Sequence, residues 1–297
     1  VKIGVHACGV NFPDTLIIEG KYQLKPEMPF SPGSEISGEI LEVGEGVTDY
    51  RPGDRVIGMT GYGGFAEEVV ADTKRIMPLP ETMDNPTGAG FAKTYGTSYY
   101  ALKQRGRLMP GETLLVFGAS GGVGLAAVEI GKAMGARVIA GASTDEKLQV
   151  AKEHGADELL NYSKEKIRDR VKALTDGKGA DVIYDPVGGD AFDEAMRCIN
   201  WDGRLLVIGF TSGRIPQAPA NLILLKTISV VGVFWGNFTA RDPKTNAENF
   251  EQLFRWHAEG KLNPLISAQY PLEKAADALH AILERKVTGK VVLTPGR

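Results

Sequence analysis

Cysteine is scarce in this chain. Cysteine occurs only at Cys8 and Cys198 in 297 residues, far apart and without a CxxC spacing. Neither a disulfide framework nor a redox dithiol is indicated, and a reducing, cytoplasmic setting is expected. No apolar run approaches the roughly 18 residues a membrane span needs. Charge of one sign is also missing: 34 Lys plus Arg face 37 Asp plus Glu, a net of -3. Nothing in that balance attracts phosphate polymers, so nucleic acid is not an expected partner. The four histidines, His6, His154, His257 and His280, form no ligand spacing with any cysteine. The chain opens without an initiator Met or a leader pattern. Val1, Ile3, Val5 and Ala7 alternate there with Lys2, Gly4, His6 and Cys8, as in a half-buried strand, so an incomplete N-terminus is expected.

Two rhythms divide what is present. From Lys2 to about Phe91, short apolar stretches (36–43, 55–58, 65–70) alternate with Gly- and Pro-rich turns such as Phe30-Ser31-Pro32-Gly33, which reads as a β-rich domain. After Thr94, strands at 113–118, 137–141, 157–161, 181–185, 204–209 and 227–234 alternate with helices at 122–134, 145–154, 164–174, 190–199 and 221–225. Six strands in βα alternation predict an α/β domain with a doubly wound parallel sheet. The tail has a polar connection at 237–246, helical patterns at 248–259 and 272–285, and a strand at 291–294. It lacks the βαβ rhythm and is expected to pack on the first domain, giving a β-rich domain of 1–92 plus 236–297 and a sheet domain of 93–235.

The turn Gly118-Ala119-Ser120-Gly121-Gly122-Val123-Gly124 joins the apolar run Thr113–Phe117 to a helix with Val123, Ala126, Ala127, Ile130 and Met134 at helical spacing. In that context it reads as a dinucleotide site. Ser120, Gly121, Gly122 and Val123 lie against the pyrophosphate, and Gly124 lets helix and strand approach. An NAD-preferring site ends its second strand in a carboxylate; here the strand ends in Gly141-Ala142-Ser143-Thr144. Ser143, Lys147 and Tyr162 are candidates to meet a 2'-phosphate, and NADPH is the expected cofactor. Asp145 and Glu146 fit a capping box, Ser143 to Glu146, in which acids stand in the first helical turn for structural reasons. Lys147 also reads as a solvated helix charge, and Tyr162 as a core aromatic.

The segments Gly9-Val10-Asn11-Phe12-Pro13-Asp14-Thr15, Pro32-Gly33-Ser34-Glu35-Ile36-Ser37-Gly38, Gly53-Asp54-Arg55-Val56, Gly63-Gly64-Phe65-Ala66-Glu67, Gly118–Gly124 and Thr288-Gly289-Lys290-Val291-Val292 carry a resemblance over essentially the whole chain. It resembles the zinc-free quinone oxidoreductase (zeta-crystallin-like) branch of the medium-chain dehydrogenase/reductase superfamily. The resemblance implies a GroES-like catalytic domain beside a Rossmann domain. Zinc members use a Cys where Asn11 stands and a His where Ser34 stands, and the closely spaced cysteines of a structural zinc lobe are missing from 58–65. Without a Lewis acid, an electron-poor acceptor is easier to reduce than an alcohol is to oxidise. The implied reaction is hydride (or electron) transfer from NADPH to a quinone or α,β-unsaturated carbonyl, whose oxygen is held by hydrogen-bond donors.

By family position Asn11 is a donor or orienting residue, though an Asx turn with Phe12-Pro13 explains it equally. Thr97 and Tyr22 are pocket candidates. Leu16 stands where relatives often carry Tyr. The resemblance places Val187, Ile208, Gly209, Phe210, Val233, Phe234, Trp235 and Lys290 with the cofactor; the apolar strand ends among them also read as core. Two alternatives stay open: an enoyl-thioester (acyl-CoA or acyl-carrier) reductase, and a crystallin-like protein that holds NADPH without turnover. The apolar sixth strand invites edge pairing, and a homodimer is implied.

Overall fold

Nine residues of nearly continuous buried strand, β1 (Lys2–Val10), open the computed structural model, which describes residues 1–296. The expected alternation holds only to Val5. A register shift between Val5 and Ala7 flips the phase, because one extra residue reverses which face a side chain meets. Ile3, Val5, Cys8 and Val10 consequently share one core, while Ala7 packs on the other face with Ala89 and Val292. Both faces are covered, so the strand is buried rather than half-buried.

The chain continues through α1 (Phe12–Ile18), β2 (Ile36–Glu42), β3 (Arg55–Gly58), β4 (Glu68–Val70), β5 (Ile76–Pro78) and α2 (Asn85–Tyr99). The short periodicity hid α1 and α2: α1 is only 7 residues long and starts at Asn11 with Pro13 in its first turn. α2 contains glycines that admit close neighbours, since a Cβ on Gly88 would stand 2.5 Å from Leu79 Cδ1.

The second unit, Thr94–Asn263, is built on β6 (Thr113–Phe117), α3 (Gly122–Ala133), β7 (Arg137–Ala142), α4 (Asp145–Glu153), β8 (Glu158–Asn161), α5 (Ile167–Leu174), β9 (Ala180–Asp185), α6 (Gly189–Cys198), β10 (Ile199–Val207), α7 (Ala220–Lys226), β11 (Ser229–Gly232), α8 (Trp235–Arg241) and α9 (Pro243–Ala258). Its strands pair in the order β11-β10-β9-β6-β7-β8, all in parallel. The order of strands therefore reverses between β6 and β9, the doubly wound arrangement.

The segment 236–263 departs from its expected place on the first domain. Residues 237–246, read as a polar connection, are largely helical. Tyr100 stacks on Phe238 with centroids 4.1 Å apart, Tyr99 meets Trp256 edge-on, and Trp235 packs with Phe250. The Asn263 N–H donates to Glu129. This aromatic seam ties the segment to the second unit.

The first unit is Val1–Lys93 completed by Pro264–Arg297, which adds β12 (Ile266–Pro271), α10 (Ala275–Leu283) and β13 (Lys290–Thr294). Its sheet runs β12-β13-β1-β2-β3-β5, with β4 also on β1. The pairs Val10↔Val291 and Cys8↔Ile36 bring three distant stretches of sequence side by side. Among the described residues no helix is long and apolar enough to cross a membrane.

Candidate functional site

At the carboxyl edge of the second unit's sheet, β6 enters the glycine turn. Gly118 takes φ 57°, a left-handed conformation that glycine adopts without steric cost. Gly121 is the N-cap of α3 and supplies no side-chain cap, so the first-turn N–H groups present the partial positive charge that suits a phosphate. Ser98 braces the turn from below. Its hydroxyl donates to the Val123 carbonyl at 2.9 Å and meets the Tyr184 hydroxyl at 2.9 Å. Sequence reading passed over Ser98 because only the fold sets it under α3.

The end of β7 differs from the expected capping box. Thr144, not Ser143, caps α4, with its hydroxyl accepting from Lys147 N at 3.3 Å; Ser143 stays half-buried outside the helix. Both oxygens of Asp145 are engaged, Oδ1 by Asn161 Nδ2 at 2.6 Å and Oδ2 by Lys164 Nζ at 2.5 Å. Lys164 and then Asn161 hold its carboxyl below the usual range. Lys147 is half-buried on α4, and Tyr162 packs edge-on to Phe117 just after β8.

The loops after β9 and β10 are fastened together. Asp185 Oδ1 accepts from Val187 N at 2.8 Å and Gly188 N at 2.9 Å, while Ile208 N and Gly209 N donate to the Asp185 carbonyl. Ser212 N donates to Val187 O. A Cβ on Gly188 would lie 3.0 Å from the Phe210 ring, and one on Gly118 would lie 3.5 Å from Val187. Val187, Ile208, Gly209 and Phe210 thus gather beside the glycine turn. Val233 follows β11 half-buried and Phe234 is exposed. Trp235, expected with the cofactor, is buried. Its ring would touch a Cβ on Gly96, and its indole N–H donates to Asn246 Oδ1 at 3.1 Å. Thr97 is half-buried on α2 in this unit.

The first unit holds a buried polar cluster. Glu35 is fully buried. Its Oε1 accepts from Asn11 Nδ2 at 3.0 Å and Lys290 Nζ at 2.8 Å, and its Oε2 from Lys93 N at 2.8 Å. Lys290 Nζ also donates to Asn11 Oδ1 at 2.7 Å and Val10 O at 3.1 Å. An ammonium has three hydrogens, so these three acceptors satisfy it within the cluster. Asn11 is fixed likewise: Nδ2 reaches Gly9 O at 3.2 Å as well as Glu35, engaging both amide hydrogens.

Asp14, buried on α1, accepts from Asn11 N at 2.8 Å through Oδ2, while Oδ1 has no hydrogen-bond partner among the described residues. Burial raises its carboxyl. Burial, and then the charge of Asp14, also raises the phenol of half-buried Tyr22. Lys93 Nζ donates to Ser34 Oγ. Burial pushes the Cys8 thiol well up, consistent with an inert sulfur that donates to Glu35 O at 3.1 Å. Glu35, Asp14 and Lys93 were missed as site residues. The available signal was charge set in apolar runs, Lys93 within Phe91-Ala92-Lys93 and Glu35 before Ile36.

The donor set does not suit zinc. Where zinc members carry thiolate and imidazole, an amide engaged by Lys290 and a hydroxyl engaged by Lys93 face the site, and two ammonium groups oppose a cation.

The chain matches two family models, "Alcohol dehydrogenase GroES-like domain" over residues 1–81 and "Zinc-binding dehydrogenase" over 122–258. It is 47% identical to a quinone oxidoreductase-like protein 2 homolog of Nematostella vectensis, over 99% of this chain and 81% of that protein. It is 36% identical to human quinone oxidoreductase, over 99% and 88%. Escherichia coli quinone oxidoreductase, solved with NADPH, matches it with a TM-score of 0.93 at 29% identity, over 99% of this chain and 91% of that one.

Proposed function

Because the chain belongs to the quinone oxidoreductase branch of the medium-chain dehydrogenase/reductase superfamily, we propose that it is an NADPH-dependent, metal-independent reductase of quinones or α,β-unsaturated carbonyls. Its GroES-like and Rossmann-like folds are those of this family's oxidoreductases. The observation that carries the reading is the amide and hydroxyl at Asn11 and Ser34, which offer no metal to polarise an unactivated substrate. The acceptor must bring its own electron deficiency.

NADPH supplies the hydride. The chain's residues bind and orient it: the N–H groups after Gly121 take the pyrophosphate, and Ser143, Lys147 and Tyr162 receive the 2'-phosphate. Asp145 does not compete for a ribose, since Lys164 and Asn161 engage its carboxylate. Val187, Ile208, Gly209, Phe210, Val233 and Phe234 supply the remaining contacts. In the first unit Asn11 positions and Tyr22 lines the acceptor pocket; Thr97 is the pocket residue proposed for the second. NADPH oxidation is to be followed against quinones, enones, enals and enoyl thioesters, with oxygen uptake in parallel. Turnover of the first three groups is expected. Turnover confined to thioesters would replace the reading with acyl reduction, and none at all with cofactor storage.

NADPH is expected to bind at least tenfold more tightly than NADH in a fluorescence titration, and Lys147→Ala with Tyr162→Phe is expected to erase most of that preference, roughly 1.4 kcal/mol or more. Equal affinities in the unaltered protein would contradict the 2'-phosphate site.

A homodimer through the outermost strand β11 is also proposed. The preceding helix α7, packed on β10, buries none of its residues and leaves Leu224 78% and Leu225 67% exposed, an apolar surface that pairing would cover. Light scattering is expected to give a dimer mass, and Val231→Lys a monomer; a monomeric unaltered protein would refute it.

A further inference from the structure

Lys93 sits in the most apolar stretch of α2, between the buried residues Phe91, Ala92, Thr94 and Tyr95. Holding a lysine there costs side-chain entropy and desolvation, offset in part by the buried carboxyls of Asp14 and Glu35 that face it. The backbone N–H of Lys93 already serves Glu35, a contact any residue would make. Its ammonium differs from that of Lys290. Lys290 has three acceptors for three hydrogens, whereas Lys93 Nζ donates to Ser34 Oγ and its side chain keeps part of its surface open. The groups facing it are Asp14 from α1, Glu35 before β2, Lys290 from β13 and Cys8 from β1; burial, the largest influence, lowers its pKa.

We propose that Lys93, positioned by Ser34, is the catalytic residue that binds the acceptor's carbonyl oxygen and stabilises the negative charge that hydride transfer places there. This rests on the reductase reading above. Of the two vacated ligand positions, Ser34 touches Lys93 itself and Asn11 is engaged by Lys290, so an organic ammonium at Ser34 takes the electrophilic part that a metal plays elsewhere. The balance is simple. With an enone, the dihydronicotinamide is oxidised, a C–H bond forms at the β-carbon, and the electron pair of the C=C bond moves to leave the oxygen negative. With a quinone, the same two electrons leave a hydroquinone monoanion. Lys93 holds the oxygen through an N–H donor while solvent supplies the proton that forms the O–H bond, and in the enone case the enol so formed tautomerises to the saturated carbonyl. A charged donor in a poorly solvated site acts strongly on a developing oxyanion.

The test uses Lys93→Met, Lys93→Gln and Lys93→Arg in the full chain. Lys93→Met and Lys93→Gln are expected to lower kcat on order of 10²-fold or more, as loss of an oxyanion donor does, with NADPH affinity unchanged; Lys93→Arg is expected to recover at least part of the rate. A second readout needs no turnover: 4-nitrophenolate, an oxyanion probe, is expected to bind the unaltered protein at least tenfold more tightly than Lys93→Met, with a shifted absorption band lost in the variant. Full kcat in folded Lys93→Met overturns the proposal. So does equal phenolate binding, or a loss in Lys93→Arg as great as in Lys93→Met. If the unaltered protein reduces no acceptor, the reductase reading fails while phenolate binding still decides whether Lys93 holds an oxyanion.

Discussion

Lys290→Met is expected to destabilise the folded chain by about 3–5 kcal/mol, the usual consequence of leaving a buried carboxylate without its charge partner. Glu35 is fully buried and Lys290 nearly so, 2.8 Å apart. The substitution would also strip a donor from Asn11 Oδ1 and from the Val10 carbonyl, each a polar atom that water cannot reach cheaply. Urea denaturation of the full chain checks this. Adding Glu35→Gln should return a good part of the loss, because a neutral amide still accepts from Lys93 N and needs no counter-charge. A double variant as unstable as Lys290→Met would show that packing of the lysine stem, not the ion pair, holds β13 to β1. A single-variant loss below about 1 kcal/mol would place the pair among weak surface bridges.

That pair also marks where sequence reading stops. The second unit was legible because its strands and helices change period at each turn, and Thr113–Phe117 leads into the glycines without interruption. The first unit's cluster was not. Glu35, Lys93 and Lys290 come from three separated stretches: the antiparallel registers Cys8↔Ile36 and Val10↔Val291 set Glu35 and Lys290 together, and Lys93 reaches Glu35 from α2. One sequence shows a charge inside an apolar run but not its partner. The phase flip in β1 was hidden for a similar reason: the pattern Val1, Ile3, Val5, Ala7 continues smoothly through a bulge that only pairing reveals. The aromatic residues of α9 announced a buried face without saying which unit it covers, so the return to the first unit was placed at 236 when it falls at Pro264. Trp235 read as a strand end for the same reason; its indole is used against α9.

Two glycines three residues apart should fail in opposite ways, and that contrast tests the cofactor turn directly. A Cβ on Gly124 would sit on the Gly118 carbonyl, 2.8 Å from its carbon and 3.1 Å from Ala119 Cα. Those are backbone atoms of a turn already fixed by the positive φ of Gly118, so they cannot yield without opening the turn. Gly124→Ala is therefore expected to cost about 1–3 kcal/mol of stability or more, with NADPH affinity falling as a consequence. A Cβ on Gly121 meets only Gly118 O, at an ordinary 3.5 Å, and an N-cap exchange of this kind costs less than about 1 kcal/mol. The new methyl group would instead stand where a pyrophosphate approaches the N–H groups of α3. Gly121→Ala should then melt close to the unaltered protein yet bind NADPH at least tenfold more weakly, roughly 1.4 kcal/mol. Calorimetric melting alongside fluorescence titration separates the two. If Gly121→Ala bound NADPH undiminished, the anion site would have to lie away from this turn, and the charge at the start of α3 would serve the fold alone.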